Sequence, residues 1–180
     1  MSVFDAIDTR RTIRQYDQSF VPPKEHVKKI AEAAIKSPTG YNRQGVDLLV
    51  VTNKDIINNM NDKVFDALDE DAKNYFRTRK ELGLEKFITC DAPVLYVLYA
   101  NGKTDDVYAR LDAGIMAESI LLTATSLGYA TMPIGTFMIG DLSEYGIPKD
   151  KVLLAIAMGK ARAGIEIPPC DRNTKITYLE

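Results

Sequence analysis

The chain has few of the side chains on which most hydrolytic and zinc enzymes depend. Histidine occurs once, at His26, which disfavours a histidine-rich zinc site and a Ser-His-Asp triad but leaves a carboxylate metal site open. His26 lies at a charged helix start and is expected at the surface. Cys90 and Cys170 are far apart in sequence and form no Cys-x-x-Cys motif, so both are expected to be free thiols.

Long apolar runs and a surplus of basic charge are also missing. No apolar run reaches the roughly 18 residues of a membrane span, and no signal core follows the first residues, so a cytoplasmic protein is expected. A net charge of −2 argues against a general role at nucleic acids or membrane surfaces. With 180 residues, 46% hydrophobic and 27% charged, the sequence predicts one globular domain over residues 1–180.

The usual nucleotide and calcium motifs are absent. There is neither a Gly-x-Gly-x-x-Gly after a strand nor a Gly-x-x-x-x-Gly-Lys-Ser/Thr, so neither the usual dinucleotide fold nor a phosphate-loop NTPase is supported. Four acidic residues lack the alternating ligands and terminal glutamate of a calcium loop, and we interpret them as a solvated helix face: Asp66, Asp69, Glu70 and Asp71.

Three arginines and two threonines lie within six residues near the amino terminus, as Thr9, Arg10, Arg11, Thr12 and Arg14. The planar guanidinium group matches phosphate oxygens bidentately, and threonine hydroxyls add neutral donors. The segment therefore indicates an anion site, and a phosphorylated cofactor would suit it. A solvated basic surface is the alternative, and this segment alone leaves both interpretations open.

Apolar periodicity predicts alternating helices and strands. Ser2 would cap a short helix anchored by Val3, Phe4 and Ile7. A helix over about 104–127 is almost uncharged from residue 113 onward, so it should be buried on most sides, in the core or against another subunit. The other predicted elements are helices over 24–36, within 54–87 and near 141–145, and strands over 46–51, 93–100, 152–159 and 176–179.

Two short segments are further candidate parts of a site. Residues 37–45 carry turn residues and amides and lead into the strand at 46–51, although an ordinary turn is the alternative interpretation. Gly128 is placed to end the long helix, and an extended segment ending in Pro133, Ile134 and Gly135 follows it. Gly135 could let the backbone approach a flat ligand closely.

In combination these motifs resemble the nitroreductase-like flavoprotein family. Its members commonly carry Arg-Arg-Ser-x-Arg near the start, where this chain has residues 10–14, and the further matches follow in the family order. They are residues 37–44, residues 127–129 leading to 133–135, and the strand that ends at Gly159 with Arg172 beyond it. The chain departs from the family at Thr12 in place of serine, at Lys160-Ala161 in place of Tyr-Pro, and at Cys170 in place of a basic residue.

The resemblance implies an FMN site assembled from two chains. It implies that the phosphate and ribityl end of FMN is bound by Arg10, Arg11, Thr12 and Arg14, with Arg172 closing over the phosphate. It implies that the partner of a homodimer contributes Pro38, Thr39, Gly40 and Asn42, and that the isoalloxazine ring lies along Pro133, Ile134 and Gly135. No catalytic side chain and no metal are required, because the flavin performs the electron transfer.

The resemblance also implies a fold and an activity. The fold is α+β, a mixed, mainly antiparallel sheet flanked by helices, with the long helix in the dimer interface and the tail reaching the partner. The activity is that of an FMN-dependent oxidoreductase taking hydride from NADH or NADPH and reducing nitroaromatics, quinones or similar small acceptors by a ping-pong mechanism. Residues 64–84 could cover the site, because the short connection after Ala100 leaves no room for a lid. The alternatives are a flavin-binding storage or regulatory protein without useful turnover and, more remotely, a phosphate-binding interaction module.

Overall fold

One antiparallel sheet forms the middle layer of the computed structural model, which describes residues 1–167, 169–170 and 172–180. The strands are β1 (Val46–Val51), β2 (Val94–Ala100), β3 (Ala130–Ile134) and β4 (Val152–Gly159), in the order β1-β2-β4-β3. The strands predicted over 46–51 and 152–159 are confirmed to the residue, and the one predicted over 93–100 begins one residue later. The predicted α+β class with a mainly antiparallel sheet is confirmed.

Five α-helices cover this sheet: α1 (Val3–Thr9), α2 (Lys24–Ala34), α3 (Lys54–Asp66), α4 (Glu70–Arg77) and α5 (Asp106–Ser126). Two short 3-10 turns lie between helices, at Gly40–Asn42 and Thr78–Leu82, and two lie between β3 and β4, at Gly135–Ile139 and Ser143–Tyr145. The predicted helices over 24–36 and 104–127 are confirmed with ends that differ by one or two residues. Among the described residues, none of these helices has the length and apolar character needed to cross a bilayer.

The sheet is buried on both faces, which explains the almost continuous apolar run of β2. Side chains alternate along a strand, so Leu95 and Val97 point into a core that contains residues of α3 and α4. Tyr96 and Leu98 point into a second core formed with α2 and α5. The interpretation of β2 as a central strand is therefore confirmed, because β1 and β4 pair with its two edges.

Helix α5 is buried on one face and exposed on the other. Its buried face packs on the sheet through small and apolar side chains, among them Ala113, Met116 and Ile120. Val107, Leu111 and Ile115 recur at every fourth residue and are 69%, 60% and 44% exposed. None of the described residues covers this outer stripe, so burial in the core does not account for it, and burial against another subunit stays a prediction.

Two expectations at the chain ends fail. Ser2 caps α1 as predicted, since its hydroxyl accepts a 3.1 Å hydrogen bond from the Asp5 amide. However, Ala6 is the buried residue of this helix, and the predicted anchors Val3, Phe4 and Ile7 are exposed. The strand predicted over 176–179 is not formed, because residues 172–180 lie exposed without a neighbouring strand to supply backbone hydrogen bonds.

The acidic residues before and within α4 behave as a solvated surface. Asp66, Asp69, Glu70 and Asp71 are exposed, and the Asp69 carboxylate caps α4 by accepting a 2.8 Å hydrogen bond from the Ala72 amide. In the part of the chain that the structure describes, no group of three or more histidine, cysteine, aspartate or glutamate side chains could hold a metal ion. Their exposure is that of a solvated surface, as predicted.

Candidate functional site

The arginine segment runs beside the free edge of β3. Thr12 forms a parallel bridge with Thr131, and the Ile13 amide donates a 3.0 Å hydrogen bond to the Thr131 carbonyl. Further along, Tyr16 pairs with Ala161 in an antiparallel bridge. The segment is therefore held between β3 and the chain that follows β4, although it is too irregular to count as a fifth strand.

Arg10 and Arg11 line a cavity of about 210 Å³ at the carboxyl end of α5. Arg11 is braced, since its Nη1 donates to the Asp8 carbonyl at 2.8 Å and to the Arg10 carbonyl at 2.7 Å. The Arg10 guanidinium has no hydrogen-bond or ion-pair partner among the described residues. Two half-buried guanidinium groups at one cavity, with Arg10 uncompensated, suit a ligand that carries negative charge.

Arg14 does not line this cavity. It is exposed, and its charge acts on Cys90, a buried thiol in the core that contains residues of α3 and α4. Burial raises the pKa of the Cys90 thiol, and the positive charges of Arg79 and Arg14 oppose that increase. The structure therefore divides the predicted cluster, with Arg10 and Arg11 at the cavity and Arg14 further along the edge of β3.

The predicted ring-binding segment forms the end of β3 and the turn after it. Pro133 pairs with Ile156 of β4, and β3 lies at the edge of the sheet, where proline is tolerated in strands. Ile134 is buried, whereas Gly135 is exposed, and a methyl group added to Gly135 would meet only the Met138 Cε, at 3.9 Å. The backbone at Gly135 is thus open to the approach of a flat ligand.

A buried hydroxyl lies between these two segments. Thr131 is 1% exposed, and its Oγ1 has no hydrogen-bond partner in the described chain. An unpaired buried hydroxyl is unfavourable for folding, and Thr131 contacts the arginine segment through its backbone rather than through this hydroxyl. The arginines and the open backbone at Gly135 make this edge compatible with a phosphorylated, ring-bearing cofactor.

The loop of residues 38–42 lies elsewhere in the chain. Thr39 lines a larger groove of about 620 Å³ over α2 and β1, which is a different cavity from the one lined by Arg10 and Arg11. Pro38 and Asn42 are exposed, and Gly40 is half-buried against α5. The structure of the single chain therefore does not bring this loop to the arginine cavity.

The tail begins at the arginine cavity. Ile167 lines that cavity, and Arg172, five residues further along, is exposed. Arg172 does not line the cavity in the single chain, and its closing over the phosphate stays a prediction. Pro168 and Asp171, which belong to the same predicted tail, lie outside the described residues.

Sequence reasoning missed a contact behind the arginine cavity. Tyr129 lines the cavity, and a 2.8 Å hydrogen bond joins its hydroxyl to Nδ1 of His26. The expectation that His26 is a surface residue is wrong, because this bond and the Tyr129 ring hold it half-buried at the start of α2. Burial raises the pKa of Tyr129, and the nearby Glu25 adds to the increase. His26 and Tyr129 are too far apart in the sequence for a local pattern to indicate this contact.

The architecture and the site define the class: an α+β protein whose central antiparallel sheet carries an arginine-rich segment along its free edge. The chain belongs to the nitroreductase family, whose sequence profile matches residues 7–160. The resemblance based on the motifs is therefore confirmed.

Several relatives support the same grouping. A nitroreductase with bound FMN from Desulfitobacterium hafniense has a similar structure, with a TM-score of 0.84 at 28% identity over the whole of both chains. The FMN-dependent nitroreductase NfnB from Mycobacterium smegmatis, solved in complex with NADPH, shares the fold, with a TM-score of 0.71 at 20% identity over 97% of each chain.

A relative in Methanothermobacter thermautotrophicus, named for NADH dehydrogenase and NAD(P)H nitroreductase activities, is 26% identical over 146 residues. That match covers 80% of this chain and 66% of the relative, slightly less than two thirds of its length.

Proposed function

We propose that this protein is an FMN-dependent oxidoreductase that takes hydride from NADH or NADPH and reduces nitroaromatics, quinones or similar small acceptors. The observation that carries the proposal is the pairing of Thr12 and Ile13 with Thr131, which joins the arginine segment to the strand that leads to Gly135. Cationic donors and an open stretch of backbone thus share one edge of the sheet. Relatives that are named for FMN or for NAD(P)H support the cofactor and the donor.

Each part of this edge has a separate task in binding. Arg10, Arg11, Thr12 and Arg14 would bind the phosphate and ribityl end of the cofactor, and Arg172 would close over the phosphate from the tail. The backbone of Pro133, Ile134 and Gly135 would lie along the ring. FMN supplies the two-electron chemistry that none of these side chains offers. The protein groups bind and orient it and keep its ring open on one side.

The site is completed by a second copy of the chain in this proposal. Leu111 and Ile115 on the outer stripe of α5, and Phe4 on α1, are apolar side chains that a partner would remove from water. The partner would also bring its residues Pro38, Thr39, Gly40 and Asn42 to the cofactor, which explains why the single chain leaves that loop away from the arginines. Its tail would cross to this subunit.

The donor and the acceptor would use the same open surface in turn. No separate dinucleotide-binding motif is present in the sequence, so a second nicotinamide site is not expected. Sharing one surface predicts ping-pong kinetics, in which each compound inhibits at high concentration by competing with the other. Initial rates at several concentrations of both compounds would give parallel double-reciprocal lines, whereas intersecting lines would contradict the shared surface.

The deciding experiment is an anaerobic visible absorption spectrum of the purified protein with FMN, recorded before and after addition of NADH and then NADPH. Binding should alter the flavin spectrum, and one or both nicotinamides should bleach it. Bound flavin that neither donor bleaches would contradict the oxidoreductase and favour a storage or regulatory role. Protein that does not bind FMN would overturn the cofactor assignment and favour recognition of some other anion.

A further inference from the structure

Helix α5 holds the loop of residues 37–40 at two points. The Ser37 and Ser119 hydroxyls form a 2.8 Å hydrogen bond, and the Gly40 amide donates a 3.0 Å hydrogen bond to the Asp112 Oδ1. Seven residues of helix rise about 10.5 Å, and three extended residues span about 10 Å. The two hydrogen bonds are therefore equally far apart on the helix and on the loop. They attach both ends of the loop to about two turns of α5.

Asp112 is an unusual residue for the buried face of this helix. It is 3% exposed among alanine and methionine side chains, and its Oδ2 has no hydrogen-bond partner in the part of the chain that is described. A buried carboxylate with one unsatisfied oxygen is unfavourable for folding, and an apolar side chain would pack there without that loss. Among the described residues, the Gly40 amide is the one hydrogen-bond partner of this carboxylate.

The loop needs such a bond because its backbone is strained. Tyr41, Asn42 and Gln44 all adopt left-handed conformations, with φ of 54°, 55° and 52°, which side chains disfavour. Gly40 packs so closely on α5 that an added methyl group would lie 2.6 Å from the Tyr108 ring. A short strained turn against a rigid helix keeps its shape only while the surrounding contacts hold it.

We propose that Asp112 is a positioning residue for this loop: its carboxylate holds the Gly40 amide so that residues 38–42 keep the shape that contacts FMN in the other subunit. This inference rests on the proposed function, because it assigns the loop its role at the partner's cofactor. Asp112 itself does not touch the cofactor in this arrangement. In this arrangement the buried carboxylate of Asp112 contributes to cofactor binding and not to folding stability.

The first test is amide hydrogen exchange of the FMN-free protein. In Asp112→Ala the Gly40 amide should exchange at least tenfold faster than in the wild type, because its acceptor is gone. Asp112→Asn keeps a carbonyl oxygen at the same position and should restore protection. Asp106→Ala removes an exposed carboxylate from the same helix, paired only with Lys151, and should leave Gly40 unchanged. Unchanged exchange in Asp112→Ala would overturn the proposal.

The second test is the dissociation constant of FMN, measured by quenching of flavin fluorescence. Asp112→Ala should bind FMN at least tenfold more weakly, and Asp112→Asn and Asp106→Ala should bind like the wild type. Normal FMN affinity in Asp112→Ala would overturn this inference alone, whereas a wild type that does not bind FMN would overturn the proposed function. If Asp112→Ala does not fold, Asp112→Ser gives the same comparison, because its shorter side chain keeps a polar group but cannot reach Gly40.

Discussion

The amide of Ile13 donates a 3.0 Å hydrogen bond to the carbonyl of Thr131, and this bond joins two segments that lie far apart in the sequence. One segment carries the arginines, and the other continues along β3 to Gly135. Both segments run in the same direction at this bridge, so Arg14 and Gly135 both follow it, whereas Arg10 precedes it.

Replacing Arg10 or Arg14 with alanine should weaken FMN binding. A hydrogen bond to a charged group contributes about 1.5–3 kcal/mol, which corresponds to a loss of affinity of at least about tenfold for each residue. Equilibrium titration with FMN measures this directly. Lys151→Ala is a suitable control, since it removes one exposed positive charge that is paired with Asp106 away from the arginine segment. Unchanged affinity in an arginine variant would remove that side chain from the site.

Substituting Gly135 with valine should abolish FMN binding while leaving the fold intact. An added Cβ at this position would meet only the flexible end of Met138, at 3.9 Å, so the free energy of unfolding should change by less than about 1 kcal/mol. The branched side chain would nevertheless stand where the flat ring approaches the backbone. Urea unfolding and FMN titration of the same variant separate the two effects. A variant that binds FMN normally would show that the ring does not lie against Gly135.

Leu111→Glu should convert the proposed dimer into a folded monomer. Leu111 is 60% exposed in the single chain, so the substitution leaves the monomer's packing unchanged, but it would place a charge in the centre of an apolar interface. Sedimentation equilibrium measures the mass, and FMN binding should be lost with the partner's loop. Leu82→Glu, at an exposed leucine in the turn after α4, provides the matched control and should stay dimeric. A monomeric wild type would contradict the proposed assembly.

Tyr129→Phe should lower the free energy of unfolding by about 1 kcal/mol, the usual contribution of one hydrogen bond. The loss is the 2.8 Å bond to His26, and replacing His26 with alanine should add little further loss once Tyr129 has been changed. A double-mutant cycle by urea unfolding measures this coupling. Tyr178→Phe, at an exposed tyrosine of the tail, should have no effect on stability. Additive effects of the two core substitutions would show that the contact contributes nothing to stability.

Stability should decrease as the pH rises above 10. Burial raises the pKa of Tyr16 and of Tyr96 above the ordinary tyrosine value of 10.0, so both stay protonated in the folded state where the unfolded chain would ionise. The folded state then binds more protons than the unfolded state, and the stabilisation present below pH 10 is lost as the pH rises through the folded-state pKa values.

Urea unfolding over this pH range measures the change. Tyr96→Phe removes one buried phenol and should make the decrease with pH less steep, whereas the exposed Tyr178→Phe should leave the slope unchanged. A wild-type stability that stays constant above pH 10 would contradict burial of both hydroxyls.

Local sequence patterns predicted most of the secondary structure correctly. The run from Val152 to Gly159 is apolar on both faces, and β4 has those same ends, because a strand between two helical layers needs no polar side. The helix caps also depend only on neighbouring residues. Examples are Ser2 before α1 and the acidic residues at the start of α5. Helix propensity alone did not show which face of α1 is buried. In the structure Ala6, rather than Phe4, packs against the rest of the chain.

Two features of the candidate site could not be predicted from local patterns. His26 is half-buried because Tyr129, from the far end of α5, closes over it. A strand is stable only when a neighbouring strand pairs with its backbone. The described residues place no strand beside residues 176–179, so the strand predicted there does not form. Both depend on contacts between residues that are distant in sequence.

By itself the sequence determined the order of the elements, the arginine segment and the family, since caps, apolar periodicity and short motifs are properties of neighbouring residues. Only the tertiary structure decided that Arg10 and Arg11 share a cavity which Arg14 does not line, that Thr131 joins the arginine segment to β3, and that Asp112 is buried beneath Gly40. The reason is physical: these relationships depend on how the segments pack around the sheet, and packing is decided by the whole core at once.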